Sequence, residues 1–481
     1  MNRPLTCAIA LALAAALLGA CSMIPAYERP QAPVAAVWPG DNPPLQGTQA
    51  AADLRWEAYF SDARLKSLID AALANNRDLR VAVLNIEQAR AVSQIRRADI
   101  FPTVNLAASG SRTPTASGGA TNLYSAGLSV SAWELDFFGR VASLKETALA
   151  QYLATEENRK ATHISLIAAV ANGYLSLLAD DELLALTRQT LSTREDSFRL
   201  TKLRFDNGAS SEIDVRLAET LTENARATLA QLQRQRALDE NALVLLVGQP
   251  LPAGFSLPPE ASKDLAPLQQ APVMAELPAG LPSDLLVNRP DIRAAEQQLI
   301  AANANIGAAR AAFFPRISLT AALGTASSEL SGLFQGGSFG LTLAPLALLP
   351  IFDAGRNQAG LESARAGREI AVAQYEKAIQ SAFREVADAL AGRATFGEQV
   401  RALQAQAAAE AVRYKLSDLR YSNGIASYLD LLDAQRSLFA IRQAVVQTRL
   451  AQLQNQVTLY KVLGGGWNEP AVTGGTQTSR P

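Results

Sequence analysis

The sequence has few of the side chains that enzymes use for catalysis or for binding metals. His163 is its only histidine, and Cys7 and Cys21 are its only cysteines. We find neither a metal-ligand spacing nor a Gly-rich phosphate loop, so we expect no enzyme activity and no cofactor other than a covalent lipid. We also expect His163 to be an ordinary surface residue of a helix. The formal net charge of −1 gives no electrostatic reason to expect nucleic acid as a partner.

Aromatic residues are scarce, and proline is absent from two long stretches. Aromatic residues make up 6% of the chain, and no proline occurs in residues 140–247 or 351–469. Long helices are expected there, because proline breaks a helix interior. A continuous helix over 140–205 would be about 100 Å long, and helices over 65–100 and 211–247 would each be about 55 Å long. Two shorter helices stacked end to end would match the length of one long helix. This match predicts a tube in which all the helices run along one axis.

The N-terminus has the pattern of a bacterial lipoprotein signal. Arg3 precedes an apolar run over 5–16 that is too short to span a membrane comfortably, and Leu18-Gly19-Ala20-Cys21 follows as a lipobox. We predict that lipid is attached to the Cys21 thiol; an ordinary signal peptide with an incidental cysteine is the alternative. Ser22 is not the aspartate associated with retention in the inner membrane, so we expect the outer membrane. The proline-rich residues 21–53 predict an extended tether.

An internal duplication organises the rest of the chain. Phe101-Pro102 recurs at Phe314-Pro315 with an offset of 213 residues, and three further pairs recur with an offset of 216. These pairs are Gly139-Arg140 with Gly355-Arg356, Asn207-Gly208 with Asn423-Gly424, and Gly248 with Gly464. Each repeat predicts a helix, two strands, a long helix, a tight turn and a last helix. The predicted parts are a signal peptide (1–20), the tether (21–53), the first repeat (54–248), a linker (249–281), the second repeat (282–463) and a flexible tail (464–481).

Four short segments alternate apolar residues with small polar ones. They cover about 102–112, 122–136, 315–326 and 337–350. This period of two fits a strand with lipid on one side and water on the other, although two soluble hairpins would show the same pattern. Four strands cannot close a transmembrane barrel, whose minimum is about eight, so strands that span a membrane require several copies of the chain. A ring of three copies would supply about twelve strands.

Together with the lipobox and the duplication, several motifs resemble a known family. They are the Phe-Pro entry and Gly-Arg exit of each strand pair, the run from Ala308 to Pro315, and the segment from Arg420 to Leu438. The chain resembles the TolC/OprM family of outer membrane factors, most closely the OprM-like outer membrane efflux lipoproteins. The resemblance implies a mixed α and β membrane protein, namely a homotrimer with a 12-stranded transmembrane β-barrel and a long periplasmic α-helical barrel. It further implies that drugs and other small toxic compounds pass through it passively, and that it docks to a periplasmic adaptor (membrane fusion) protein and an inner-membrane resistance-nodulation-division pump.

The resemblance also implies an iris-like gate at the periplasmic tip of the second hairpin. Leu429 and Asp433 would constrict the pore. Because they lie one helical turn apart, a trimer would stack an apolar ring beside a carboxylate ring that repels itself and attracts cations. Arg420 and Tyr421 would form a polar latch, whereas Leu217 replaces Asp433 in the first repeat, so that hairpin is expected to be a static wall. The candidate latch acceptors are Asp206, Asp214 and Asp430, and the tip turns are Asn207-Gly208 and Asn423-Gly424.

Two alternatives stay open on the sequence alone. A type I secretion duct that exports proteins would use the same tube, and drug susceptibility compared with secreted proteins would separate the two. A periplasmic adaptor lipoprotein would scaffold rather than conduct. An adaptor normally carries one helical hairpin and glycine-rich β domains, and the two hairpins and two strand pairs of this chain argue against it.

Overall fold

The computed structural model describes residues 22–38, 50–116, 118–251 and 284–467, together with five residues of the linker. Those five are Leu268, Met274, Leu277, Pro278 and Gly280. The predicted signal peptide, the lipidation site Cys21, most of the linker and residues 468–481 lie outside the described residues.

The described residues form helices and four strands in an order that repeats. The first half contains α1 (Trp56–Tyr59), α2 (Ala63–Asn75), α3 (Arg77–Ala98), β1 (Val104–Pro114), β2 (Ala120–Leu135), α4 (Arg140–Asp206) and α5 (Glu212–Val247). The second half contains α6 (Asp284–Asn288), α7 (Pro290–Ala311), β3 (Arg316–Ser327), β4 (Phe339–Leu348), α8 (Arg356–Ser422) and α9 (Tyr428–Val462). Helices α4 and α8 each have 67 residues, which corresponds to about 100 Å of helix.

The predicted first helix of each repeat is interrupted, so the prediction of one continuous helix over 65–100 was wrong. The break falls at Asn76, whose extended backbone separates α2 from α3 and whose Oδ1 accepts a hydrogen bond from the Leu79 N–H at 2.9 Å. This side chain caps the new helix. In the second repeat the break falls at Arg289, because the residue before Pro290 is disfavoured in a helix.

The residue at each break is hydrogen-bonded to the last helix of its repeat, at equivalent positions. The Asn76 amide donates to the carbonyl oxygen of Leu246 at 2.9 Å, and the Arg289 guanidinium donates to that of Val462 at 3.1 Å. Leu246 and Val462 are separated by the same 216-residue offset that relates the sequence pairs. The duplication is therefore repeated in the tertiary contacts as well as in the order of elements.

Gly248 ends α5 in a left-handed conformation, with φ 76°, and lies directly against the break after α2. A Cβ atom at this position would be 2.4 Å from the carbonyl oxygen of Asn75, which is backbone and cannot rotate away. Both the positive φ and the missing space require glycine. Its counterpart Gly464 has φ 82° and is 3.0 Å from the Asn288 carbonyl oxygen by the same measure.

We expect Gly248→Ala to lower the stability of the folded chain by about 2–4 kcal/mol, because the substitution combines strain at positive φ with a backbone clash. Thermal unfolding of the purified protein in detergent, followed by circular dichroism, measures this effect. Gly397→Ala is the matched control: it lies inside α8, where a Cβ would be 3.9 Å from its nearest neighbour. Equal unfolding temperatures for the two variants would contradict the assignment.

The four strands form one antiparallel sheet in the order β1-β2-β3-β4. The register of β2 against β3 shifts between Val130 and Trp133, where Ala132 has φ 47°. Such a bulge increases the local twist of the sheet. Strands β1 and β4 are the edges of this sheet, and each leaves one row of backbone groups without a partner strand among the described residues.

The chain divides into two compact units that differ from the two sequence repeats. The first unit combines Leu84–Glu157 and Asp291–Ala378 with the N-terminal residues up to Ala32, and it contains the sheet. The second combines Pro33–Val83 with residues 158–290 and 379–481, as far as the structure describes them, and it contains both hairpin tips. Each unit therefore draws on both repeats, which shows that the repeats pack side by side within it.

The start of the predicted tether is extended but bound to α7 within the first unit. The Arg29 guanidinium donates two hydrogen bonds of 2.6 Å to the Glu296 carboxylate, and the Tyr27 hydroxyl donates a third at 3.1 Å. Asn303 donates to the carbonyl oxygen of Pro25 at 2.8 Å, and Arg310 to that of Met23 at 3.2 Å. The sequence did not predict these contacts, which form because α7 supplies a matching row of polar side chains.

The first residues of the predicted flexible tail, 464–467, pack against the rest of the chain. Residues 464–466 are buried, and Trp467 packs against α4, with its ring 4.4 Å from the Arg159 guanidinium carbon and 5.0 Å from the His163 ring. His163, which the sequence predicted at the surface of a helix, is half-buried beside Trp467, and burial together with nearby Arg159 lowers its pKa to about 4. His163 is therefore neutral at physiological pH and contributes to packing.

Candidate functional site

The two hairpin tips have the same local geometry. Each turn is closed by an asparagine whose amide donates to the carbonyl oxygen four residues earlier, and by a glycine in the left-handed conformation. These contacts are Asn207 to Leu203 at 2.7 Å with Gly208 at φ 74°, and Asn423 to Leu419 at 2.6 Å with Gly424 at φ 73°. The turn residues predicted from the repeat therefore lie at the two helix junctions.

Two of the predicted latch acceptors cap the helices that leave the tips. Asp430 accepts hydrogen bonds from the backbone N–H of Ser427 at 3.2 Å and from its hydroxyl at 2.9 Å, while the Ser427 Oγ accepts the Asp430 N–H. Asp214 forms the same capping box with Ser211. This arrangement satisfies N–H groups at the helix start, and it explains an acid at both positions on local grounds.

The third predicted acceptor is less constrained. Asp206 is the exposed last residue of α4, and no hydrogen bond or ion pair of its carboxylate occurs among the described residues. The structure does not bring Asp206, Asp214 or Asp430 into an ion pair or hydrogen bond with Arg420 or Tyr421 within the described part of the chain. The latch pairs remain a prediction, and Asp206 is the acid whose carboxylate is not already used by a cap.

A small hydrophobic core lies beneath the tips, and the two hairpins contribute different residues to it at equivalent positions. Tyr428, Leu431 and Leu432 of α9 pack with Ala218 of α5, and the partly buried Leu217 packs against this core. Asp433, the counterpart of Leu217, has a side chain that is 58% exposed. The first hairpin therefore contributes an apolar anchor at the position where the second hairpin presents a carboxylate.

An open groove of about 1220 Å³ runs beside this core and contains most of the predicted gate residues. Leu429, Asp433, Arg420 and Asp430 all line it. Leu429 is 59% exposed although it is apolar and lies next to buried leucines. A leucine and an aspartate one turn apart thus face the same open side of α9, as the predicted pair of rings requires.

Tyr421 is positioned by aromatic and cationic neighbours. Its ring lies 5.1 Å from the ring of Tyr428, and the Arg204 guanidinium carbon lies 5.1 Å from the centre of the Tyr421 ring. A cation over an aromatic face is attracted by the ring quadrupole. Sequence reasoning missed Arg204, although the repeat contained a signal, because Arg204 is the counterpart of Arg420.

Asp433 is held by an arginine of the preceding helix. Arg413 of α8 donates a hydrogen bond from Nη2 to Asp433 Oδ2, and its Nη1 lies 3.1 Å from the Glu410 carboxylate. The hydrogen bond to Asp433 raises the pKa of the Arg413 guanidinium, as does the charge of Glu410. Sequence reasoning missed Arg413, because nothing in the spacing of two helices joined by a turn indicates which residues face each other.

The fold defines a class of membrane channel, and sequence comparison identifies the family. The family described as outer membrane efflux protein matches residues 68–249 and 281–465. The chain belongs to this family of outer membrane efflux proteins.

Full-length relatives and solved structures agree. The toluene efflux pump outer membrane protein TtgC of Pseudomonas putida is 48% identical over 482 residues, which is 98% of each chain. The outer membrane protein OprJ of Pseudomonas aeruginosa is 47% identical over 470 residues, which is 95% of each chain. The open state of the MtrE outer membrane channel of Neisseria gonorrhoeae is 42% identical, with a TM-score of 0.83 over 93% of this chain and 98% of that one.

These matches confirm the main predictions from sequence. The chain has the mixed α and β fold of an outer membrane channel, and it serves as the outer-membrane exit channel of an efflux system in a Gram-negative bacterium. The function is transport. Efflux is thereby favoured over protein secretion, and the alternative of a periplasmic adaptor was wrong.

Proposed function

We propose that three copies of this chain form one channel, in which each copy contributes its four strands to a closed β-barrel. The sheet supports this proposal, because its two edges β1 and β4 need partner strands in a membrane and the chain has only four strands in one sheet among its described residues. Pairing β4 of one copy with β1 of the next closes a ring of about twelve strands, within the size range of known barrels.

The second hairpin closes the periplasmic entrance of this channel. Three Leu429 side chains form an apolar ring, three Asp433 carboxylates form a charged ring beside it, and Arg420 and Tyr421 hold the closed position. The observation that carries this assignment is the exposure of Leu429 and Asp433 on one face of α9, above a core that buries their neighbours.

Drugs and other small toxic compounds are the cargo, and the conduction is passive, with no catalytic step. A periplasmic adaptor and an inner-membrane resistance-nodulation-division pump deliver the cargo, and a lipid on Cys21 anchors the chain in the outer membrane. The efflux role of relatives such as TtgC supports small compounds as cargo. Cys21 is followed at once by the segment that binds α7, which supports an anchor close to the first unit.

Two measurements test this function. Electron microscopy of the purified protein is expected to show a three-fold tube, and deletion of the gene is expected to increase drug susceptibility while the secreted proteins stay unchanged. A monomer without conductance in planar bilayers would reject the channel. Loss of secreted proteins with unchanged drug susceptibility would reject small compounds as the cargo.

Asp433→Ala is expected to weaken the block of the channel by divalent cations, because the substitution removes the carboxylate ring. The concentration of Mg²⁺ that halves the current in planar bilayers should rise roughly tenfold or more, the effect of losing about 1.4 kcal/mol of binding. Asp388→Ala, on the exposed side of α8, is the control, since its carboxylate is outside the groove. An unchanged block in Asp433→Ala would place the cation site elsewhere.

A further inference from the structure

The ion pair between Arg413 and Asp433 joins the two helices of the second hairpin just behind the tip. Arg413 lies on α8 and also contacts Glu410 one turn earlier, while Asp433 lies near the start of α9. The side chains of Arg413 and Asp433 are 44% and 58% exposed, so ions from solution have access to both. The Arg413 guanidinium is therefore shared between the carboxylates of Glu410 and Asp433 on the open side of the hairpin.

The first repeat shows that the fold does not require these three residues. With the 216-residue offset, the counterparts of Glu410, Arg413 and Asp433 are Arg194, Ser197 and Leu217. Leu217 packs on the core beneath the tips, and Arg194 is buried with its Nη1 donating to the Leu221 carbonyl oxygen at 2.9 Å. An equivalent hairpin is thus held together without any ion pair at these positions. Hairpin packing therefore does not explain why the second repeat has Glu410, Arg413 and Asp433 at these positions.

We propose that Arg413 is a positioning residue of the gate, which holds Asp433 within its own chain and thereby sets how strongly the entrance binds cations. The inference depends on the proposed function, because it takes Asp433 as part of a ring of three. While Arg413 is paired, the charge of each carboxylate is offset and its direction is set by α8. A divalent cation at the ring must compete with three guanidinium groups, and release of Arg413 leaves three carboxylates that bind cations more tightly.

Arg413→Gln tests this inference in full-length protein reconstituted into planar bilayers. Each exposed ion pair contributes little, but three are lost together, so the Mg²⁺ concentration for half block should fall roughly three- to tenfold. The reversal potential in a KCl gradient should shift toward cation selectivity. Arg413→Lys keeps the charge and should behave like the wild type in both measurements. Arg401→Gln is the control, because Arg401 pairs with Glu398 on the same helix in the same spacing and lies outside the groove.

The possible outcomes separate this inference from the channel itself. A wild type that conducts, with an Arg413→Gln variant whose block and reversal potential are unchanged, would overturn the role of Arg413 and leave the channel standing. Equal shifts in Arg413→Gln and Arg413→Lys would also overturn it, since they would indicate lost packing rather than lost charge. A wild type that does not conduct would reject the proposed channel and this inference with it.

Discussion

Tyr421→Phe combined with Arg420→Ser is expected to raise the single-channel conductance of the purified protein several-fold. Neither the Arg420 guanidinium nor the Tyr421 hydroxyl has a hydrogen bond or ion pair among the described residues of its own chain, so both are available to a neighbouring copy. A hydrogen bond to a charged group contributes about 1.5–3 kcal/mol. Its loss in each copy shifts the balance between closed and open entrance at least about tenfold.

Planar bilayer recordings measure this shift, and the substitution should leave the oligomer intact. Arg384→Ser is a suitable control, because Arg384 is an exposed arginine of α8 whose ion pair, in the part of the chain that the structure describes, is with Asp388. Asp206→Asn should reproduce part of the increase if Asp206 is the acceptor, whereas Asp214→Asn and Asp430→Asn would also disturb a helix cap. Unchanged conductance in the double variant would contradict the latch.

Features that depend on local sequence could be predicted well. The absence of proline predicted α4 and α8, and the asparagine–glycine pairs predicted the two turns, because backbone conformation there is decided by a few neighbouring residues. The offset between repeats also pairs Leu217 with Asp433 by sequence alone. The apolar Leu217 packs on the core and the charged Asp433 is exposed to solvent, as the polarity of each side chain predicts.

Features that depend on tertiary partners could not be predicted. Asn76 interrupts a helix because its side chain can bond to α3 and to α5 at once, and no local pattern contains the second partner. The same holds for the binding of Arg29 to Glu296, which are far apart in sequence. Arg413 belongs to this class too, since its contact with Asp433 depends on how two helices face each other.

A second large effect is expected from pH, through a buried carboxyl group on α4. Asp180 is 6% exposed, and burial raises its pKa from 3.8 to about 7, with further contributions from Asp239 of α5 and from the adjacent Asp181; Arg236 opposes them. The folded state therefore keeps a proton that the unfolded chain has released above about pH 4. Stability should fall as pH rises from about 4 to 7, and the cost is complete above 7.

Asp180→Asn should remove this cost, because asparagine has the shape of the protonated acid and does not ionise. Its apparent unfolding temperature should match the wild type near pH 4 and exceed it at pH 8 by roughly 5 °C or more. Asp181→Asn is the contrasting variant: Asp181 forms an ion pair of 2.6 Å with Arg236, so its loss should lower stability at both pH values. Parallel pH curves for Asp180→Asn and the wild type would show that Asp180 is ionised throughout this range and that the α4–α5 packing tolerates its charge.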